Sequence, residues 1–177
     1  VLELGGNDPL IILDDADLDL AVTLAAEGSY RNSGQRCTAV KRILVQDGIA
    51  PELTRRLVEK TREYICDNPL NDATRVGTVI DETSAIHLET VVQEAVNAGA
   101  RVLIGGQRRG ALLQPTVIAD VPRDCRMVVS ESFGPLAPII TVRDLDDALT
   151  LANSTAYGLS SGVVTKSLPA AFKAIRT

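Results

Sequence analysis

The sequence predicts an α/β protein built on an open, largely parallel sheet with helices on both faces. Short apolar runs of strand length alternate with longer segments of helical period, and no internal repeat or low-complexity stretch interrupts this order. Of the 177 residues, 45% are apolar and 23% are charged, which is enough to bury a core without disulfides. These observations exclude a disordered chain, a collagen and a disulfide scaffold.

The individual elements follow from caps, apolar stripes and turn residues. Val1 to Gly6 is interpreted as a strand that ends in a turn. The further predicted strands are Ile43 to Val45, Arg101 to Ile104, Thr116 to Ile118, Pro138 to Val142 and Ser161 to Val164. The predicted helices are a segment capped at Asp15 to Asp17 that turns out near Gly34, a segment from Pro51 to Ile65, Ser84 to Ala98, Leu145 to Ala152, and Pro169 to Ile175.

Charge and apolar run length narrow the set of partners. The chain carries 18 Lys and Arg against 23 Asp and Glu, for a net charge of -5 with no basic stripe, so nucleic acid is not an expected partner. Apolar runs such as Leu136 to Val142 are too short to cross a bilayer, and no leader pattern begins the chain. We therefore expect a soluble cytoplasmic protein that does not bind membranes.

Three cysteines in such a chain are better interpreted as thiols than as a disulfide framework. Cys37 lies in a polar turn, where backbone N–H groups and the neighbouring Arg36 favour the thiolate that acts as a nucleophile. The alternative is a small buried apolar residue. Cys66 and Cys125 have no acid, base or second thiol at ligand spacing, so we expect both to be structural or incidental, and no metal site is predicted.

Two carboxylates are further candidates. Glu3 stands in an apolar run directly before Gly5 and Gly6, where a general base could be placed, although a lone Glu is more often on an exposed strand face. Glu131 stands beside Phe133, a pairing that suits a ribose hydroxyl and a flat heterocycle. A glutamate at a helix end before a Gly-Pro turn is, however, also common without chemistry.

Together these segments resemble the aldehyde dehydrogenase superfamily. Three stretches occur in the order of its signature segments, and a fourth resembles its Asn-x-x-x-Tyr-Gly-Leu segment. The four stretches are Glu3 to Gly6, Gly34 to Cys37, Glu131 to Pro135, and Asn153 to Leu159. The 34 positions that separate Glu3 from Cys37 also resemble the separation of base and nucleophile in that family. The resemblance spans nearly the whole chain.

The resemblance implies a role for each matching residue. Cys37 would attack the aldehyde, its backbone N–H would help to hold the oxyanion, and Glu3 would activate the water that hydrolyses the thioester. Glu131 would bind the nicotinamide ribose of NAD or NADP, Phe133 would lie near the nicotinamide ring, and the backbone of Leu4 would face the carboxamide.

The residues around the nucleophile bear on the substrate. Ser33 to Lys41 resembles the version in dehydrogenases of anionic aldehydes, and the wider match is closest to phosphonoacetaldehyde dehydrogenases. The alternative is a non-phosphorylating glyceraldehyde-3-phosphate dehydrogenase or another semialdehyde dehydrogenase. Arg36 and Thr38 are therefore expected to bind substrate, Arg36 through its planar fork of donors. The alternative for Arg36 is a helix-end cation that satisfies carbonyls.

Several parts of the family pattern are not found in this sequence, including the dinucleotide-binding domain and the C-terminal assembly segment. Residues 1–177 are thus expected to form the catalytic domain, with their own N-terminal cofactor-binding domain and further copies in a homo-oligomer as partners. A hypothesis of another class is a non-catalytic binding or assembly module. Faster alkylation of Cys37 than of Cys66 or Cys125 would favour the enzyme.

Overall fold

The computed structural model describes Val1 and residues 4–177. Its strands are β1 Asp8–Ile12, β2 Val40–Gln46, β3 Arg101–Ile104, β4 Arg108–Arg109, β5 Leu112–Leu113, β6 Thr116–Ala119, β7 Leu136–Val142 and β8 Gly162–Val164. Its helices are α1 Leu18–Tyr30, α2 Ala50–Thr61, α3 Glu82–Asn97, α4 Arg126–Val129, α5 Leu145–Ala152 and α6 Leu168–Arg176, and a short 3₁₀ helix spans Arg31–Gly34. The chain is therefore an alternating α/β protein.

The main sheet has the strand order β3-β6-β7-β2-β1-β8. The pairings of β6 with β7, β7 with β2, β2 with β1 and β1 with β8 are parallel, whereas β3 runs antiparallel to β6. Strands β4 and β5 form a separate antiparallel hairpin. The prediction of an open, largely parallel sheet is confirmed.

Helices cover both faces of the sheet, as predicted. One core packs α1 and α2 against side chains such as Leu10, Ile43 and Ile139. The other core packs α3 and α5 against alternate positions of the same strands, such as Ile11 and Leu44. Because successive side chains of a strand point to opposite faces, a central strand with two covered faces is apolar almost throughout.

Side-chain caps explain why several helices begin where they do. Asp17 accepts from the N–H groups of Asp19 and Leu20 at the start of α1, as its sequence position predicts. Asp144 caps α5 in the same way, and Pro51 occupies the first turn of α2. These starts agree with the sequence prediction.

Some predicted boundaries are wrong. The first described strand is Asp8–Ile12, while residues 4–7 form no regular element and the rest of the predicted initial strand lies partly outside the described residues. Helix α2 ends at Thr61, so Ile65, which is half exposed, does not extend its apolar stripe. The hairpin and the one-turn helix α4 were not predicted, because elements this short carry little periodicity.

Among the described residues, no helix has both the length and the apolar character that a membrane crossing requires.

Candidate active site

The predicted site segments meet at the amino-terminal ends of adjacent strands. Strands β7, β2, β1 and β8 are adjacent and parallel, so the residues that precede them lie side by side. Glu131 and Phe133 precede β7, Cys37 precedes β2, and Gly6 precedes β1. The topology therefore brings together segments that are distant in the chain, such as those of Gly6 and Glu131, which are 125 positions apart.

The turn before Cys37 has an unusual backbone. Asn32, Ser33 and Gly34 have φ angles of 56°, 55° and 68°, in the left-handed region that non-glycine residues rarely adopt. Gly34 also lacks room for a side chain, because a Cβ atom there would lie 2.0 Å from the carbonyl oxygen of Gly134. The turn before Cys37 is thus packed directly against the segment that carries Glu131 and Phe133.

Hydrogen bonds to residues 77–80 hold this turn in place. Ser33 Oγ donates to the carbonyl of Gly77 at 3.1 Å. The side chain of Gln35 donates to the carbonyl of Thr78 and accepts from the N–H of Ile80 at 2.8 Å. These bonds fix a segment that would otherwise lack regular partners.

Cys37 is half-buried and lies on the wall of an open cleft of about 700 Å³. The other residues that line the cleft are Leu4, Gly5, Gln35, Arg36, Thr38, Glu131 and Phe133. The predicted site residues within the described chain therefore share one cleft. Glu3 lies outside the described residues.

The other two thiols are in different surroundings. Cys66 forms an isolated β-bridge with Val76 and donates to the carbonyl of Leu113, and burial raises the pKa of its thiol. Cys125 precedes α4, and burial raises the pKa of its thiol as well. Neither thiol lines the cleft of Cys37.

Glu131 is held by two partners. Its Oε1 accepts from the N–H of Gly6 and from Lys41 Nζ, both at 3.2 Å, and its side chain is 19% exposed. Its backbone N–H donates to Tyr157 Oη at 3.4 Å, which brings in the predicted Asn153 to Leu159 segment. The carboxylate is therefore fixed but still reachable from the cleft.

Phe133 is 46% exposed and lines both the Cys37 cleft and a second cleft of about 340 Å³. An exposed ring beside an oriented carboxylate offers a stacking surface and a hydrogen-bond acceptor for a sugar hydroxyl. The residues present thus fit the nicotinamide riboside part of a dinucleotide. Leu4, which is exposed, lies at the same wall.

Sequence reasoning missed Lys41, which lies beneath this site. The side chain is only 2% exposed, and its ammonium contacts Glu131, the carbonyls of Gly6, Arg36 and Cys37, and the face of the Phe133 ring. A charged residue at the start of an apolar strand was the available signal, because lysine is rarely buried without a partner. The neighbouring Arg42 is also buried and donates to three carbonyls.

The structure gives Arg36 a partner within the fold. One guanidinium nitrogen, Nη2, donates at 3.1 Å to the carbonyl of Gly28 in the last turns of α1. Its Nε is buried with no hydrogen-bond partner among the described residues. Arg36 thus has the helix-end contact of the alternative interpretation and also lines the cleft. Thr38 is exposed at the cleft wall.

Comparisons with known proteins cover the whole chain. Residues 1–177 match the model of the aldehyde dehydrogenase family. The chain is 44% identical over 171 residues to a succinate-semialdehyde dehydrogenase [NADP(+)] of Deinococcus radiodurans, covering 95% of this chain and 36% of that protein. It is 38% identical to a lactaldehyde dehydrogenase of Methanococcus maripaludis, covering 97% of this chain and 37% of the relative. It is also 38% identical to a sulfoacetaldehyde dehydrogenase of Neptuniibacter caesariensis, covering 95% of this chain and 37% of the relative.

A solved structure agrees with these matches. The NADP-dependent glyceraldehyde-3-phosphate dehydrogenase of Bacillus halodurans, complexed with NADP, is 40% identical and superimposes with a TM-score of 0.95 over 98% of this chain and 36% of that chain. The chain thus spans little more than a third of the length of these proteins. Because the family model matches the whole chain and these relatives agree with it in sequence and fold, the chain belongs to the aldehyde dehydrogenase family.

Proposed function

We propose that residues 1–177 are the catalytic domain of an NAD(P)-dependent dehydrogenase that oxidises an anionic aldehyde to the free acid. The observation that carries this proposal is the cleft in which Cys37 lies beside Glu131 and Phe133. Within the described chain, the N–H groups of Cys37 and Thr38 donate to no acceptor, so they remain available to a ligand. A nucleophile beside unpaired donors and a stacking ring is the arrangement that aldehyde oxidation needs.

In this mechanism the Cys37 thiolate attacks the aldehyde carbon, and the carbonyl oxygen becomes an oxyanion that accepts from the Cys37 N–H. The oxidised nicotinamide supplies a hydride acceptor, and loss of hydride from the carbon leaves a thioester on Cys37. Glu3 takes a proton from water as the water oxygen attacks the thioester carbon. The C–S bond then breaks, the acid is released, and the proton passes from Glu3 to the Cys37 sulfur. Glu131 and Phe133 orient the cofactor.

Hydrolysis, rather than transfer of the acyl group to coenzyme A, is proposed because Glu3 is present. Superfamily members that transfer the acyl group to coenzyme A resemble this pattern but lack the glutamate.

For the substrate we propose phosphonoacetaldehyde, with glyceraldehyde 3-phosphate or a semialdehyde as the alternative. Arg36 supports an anionic substrate, because its guanidinium is positively charged and the residue lines the Cys37 cleft. Succinate semialdehyde and sulfoacetaldehyde, which name two relatives, carry a carboxylate and a sulfonate. Lactaldehyde, which names a third, is neutral and is therefore the informative competitor.

We further propose that the chain works with a cofactor-binding domain N-terminal to it, in a cytoplasmic homo-oligomer. The length of the relatives supports the first part, and the three free thiols among the described residues support the cytoplasm. We expect isolated residues 1–177 to bind NAD and NADP only weakly. Calorimetric titration checks this, and micromolar binding would contradict it.

The experiment that tests the function uses the complete protein that contains this chain. Formation of NADH or NADPH is followed with phosphonoacetaldehyde, sulfoacetaldehyde, succinate semialdehyde, glyceraldehyde 3-phosphate and lactaldehyde. Turnover that disappears in Cys37→Ala supports the enzyme. No reduced cofactor from any of the aldehydes would refute the proposal and favour a non-catalytic module.

The anionic substrate is tested with Arg36→Leu. We expect the variant to raise KM for phosphonoacetaldehyde by about tenfold or more while leaving lactaldehyde nearly unchanged, because an anion would lose a charged partner. Arg62→Leu is the matched control, since that side chain is exposed directly after the end of α2 and pairs only with nearby Glu59 among the described residues. An equal rise in KM for both aldehydes would refute the proposal that Arg36 binds the anionic group.

A further inference from the structure

The Lys41 ammonium contacts the three segments that build the cleft. Its Nζ lies 2.9 Å from the carbonyl oxygen of Arg36 and 3.4 Å from those of Cys37 and Gly6. The same nitrogen lies 3.2 Å from Glu131 Oε1. A lysine ammonium has three donor hydrogens, so these contacts use all of its hydrogen-bond donors. Nearly complete burial makes these bonds costly to lose.

The contacts of Lys41 with the carbonyls of Arg36 and Cys37 determine where the neighbouring N–H groups point. The carbonyl of Arg36 and the N–H of Cys37 belong to the same planar trans peptide, so they point in opposite directions. A cation on the carbonyl of Arg36 therefore directs the Cys37 N–H away from Lys41. The carbonyl of Cys37 stands in the same relation to the N–H of Thr38.

Both of these N–H groups are unpaired among the described residues, and both belong to residues that line the cleft. A positive charge on a carbonyl oxygen polarises the whole peptide and makes its N–H a stronger donor. This effect is large where water is excluded, as it is around Lys41. Glu131 balances the charge, so the buried cation is paired.

We propose that Lys41 is a positioning residue that orients and polarises the backbone donors of the oxyanion site at Cys37 and Thr38. The inference rests on the proposed function, because an oxyanion forms only if Cys37 attacks an aldehyde. Lys41 itself contacts carbonyl oxygens and a carboxylate and does not line the Cys37 cleft. Its effect on the reaction is therefore exerted through the peptides of residues 36–38.

The test compares two reactions of Cys37 in the complete protein. Alkylation by iodoacetamide needs the Cys37 thiol but forms no oxyanion. The first burst of NADH or NADPH needs the thiol and also passes through the oxyanion. The variants are Lys41→Gln, which removes the charge, and Lys41→Arg, which keeps it. Lys60→Gln is the control, since Lys60 lies on α2 and pairs with Glu63.

We expect Lys41→Gln to slow the burst at saturating cofactor by about thirtyfold or more, because losing one donor of an oxyanion site costs on the order of 10² to 10³ in rate. Alkylation of Cys37 should change by less than about threefold, and Lys41→Arg should recover part of the burst rate. A burst that keeps its rate, or one that slows only as much as alkylation does, would overturn the inference.

Three further outcomes keep the test decisive. If Lys41→Gln melts below the assay temperature, Lys41→Met takes its place, because it also removes the charge and leaves no unpaired polar group in the buried position. A burst that slows in Lys41→Met no more than alkylation of Cys37 does overturns the inference. A parent protein without any burst that depends on Cys37 would refute the proposed function, and the role of Lys41 would fall with it. A normal parent burst with an unaffected variant would refute the role of Lys41 alone.

Discussion

Replacing Gly6 with Ala tests whether close packing holds the nucleophile turn in place. A Cβ atom at this position would lie 2.3 Å from the carbonyl oxygen of Cys37 and 2.7 Å from Oδ1 of Asp8. The backbone oxygen cannot rotate away as the end of a side chain can. The two segments must therefore separate by about 1 Å to reach ordinary contact.

A separation of this size determines how much kcat and stability the Gly6→Ala variant should lose. A misplacement of about 1 Å can lower a catalysed rate by about 10²-fold, and an added methyl in a packed region costs about 1 to 3 kcal/mol of stability. We expect Gly6→Ala to lose about a hundredfold in kcat in the complete protein. The loss in stability should be small enough for the variant to remain folded.

Steady-state rates with saturating aldehyde and cofactor, together with a thermal melt, measure both effects. Gly110→Ala is the control, because its added methyl meets no atom within 4 Å and the residue lies at the β4–β5 turn. Its φ of 59° predicts a loss of about 1 kcal/mol in stability but no loss in kcat. A Gly6→Ala variant with the kcat of the control would refute this account of the turn.

Two further predictions concern thiol reactivity and acid stability. Iodoacetamide should label Cys37 faster than Cys66 or Cys125 at neutral pH, because burial raises the pKa of both other thiols; equal labelling, measured by peptide mass spectrometry, would contradict the placement of Cys37. Asp147→Asn should lower the free energy of unfolding by about 2 to 4 kcal/mol at pH 7, because the carboxylate is 6% exposed and accepts two bonds of 2.7 Å from Arg123. These contacts hold the pKa of the Asp147 carboxyl far below its usual value, so denaturant titrations should show the difference shrinking below about pH 4, where the unfolded carboxyl becomes protonated; a constant difference would contradict the pairing.

Local signals predicted much of the fold. Helix α1 begins after Asp17, within the segment expected to cap it, and α5 has the predicted range of Leu145–Ala152. Strand β1 was missed because Asp8–Ile12 follows directly on a Gly-Gly turn that was assigned to the end of an earlier strand. The alternation of strands and helices was enough for the sheet, but strand boundaries depend on pairing with distant segments.

The candidate site was predictable where short motifs carry it and not where distant contacts do. Cys37, Glu131 and Phe133 lie in recognisable segments and share one cleft. Lys41 was not predicted because its place in the site depends on contact with Glu131, which lies 90 positions away in the chain. The direction of the Arg36 guanidinium likewise depends on how α1 ends beside the turn.

The most direct test of the central claim is to trap the acyl group on the nucleophile. In the complete protein, Glu3→Gln should slow hydrolysis of the thioester while leaving the hydride burst, because only the general base is lost. After mixing with aldehyde and oxidised cofactor, peptide mass spectrometry should find the acyl adduct on the peptide that contains Cys37. An adduct on Cys66 or Cys125, or steady turnover at the parent rate with no adduct, would contradict the account.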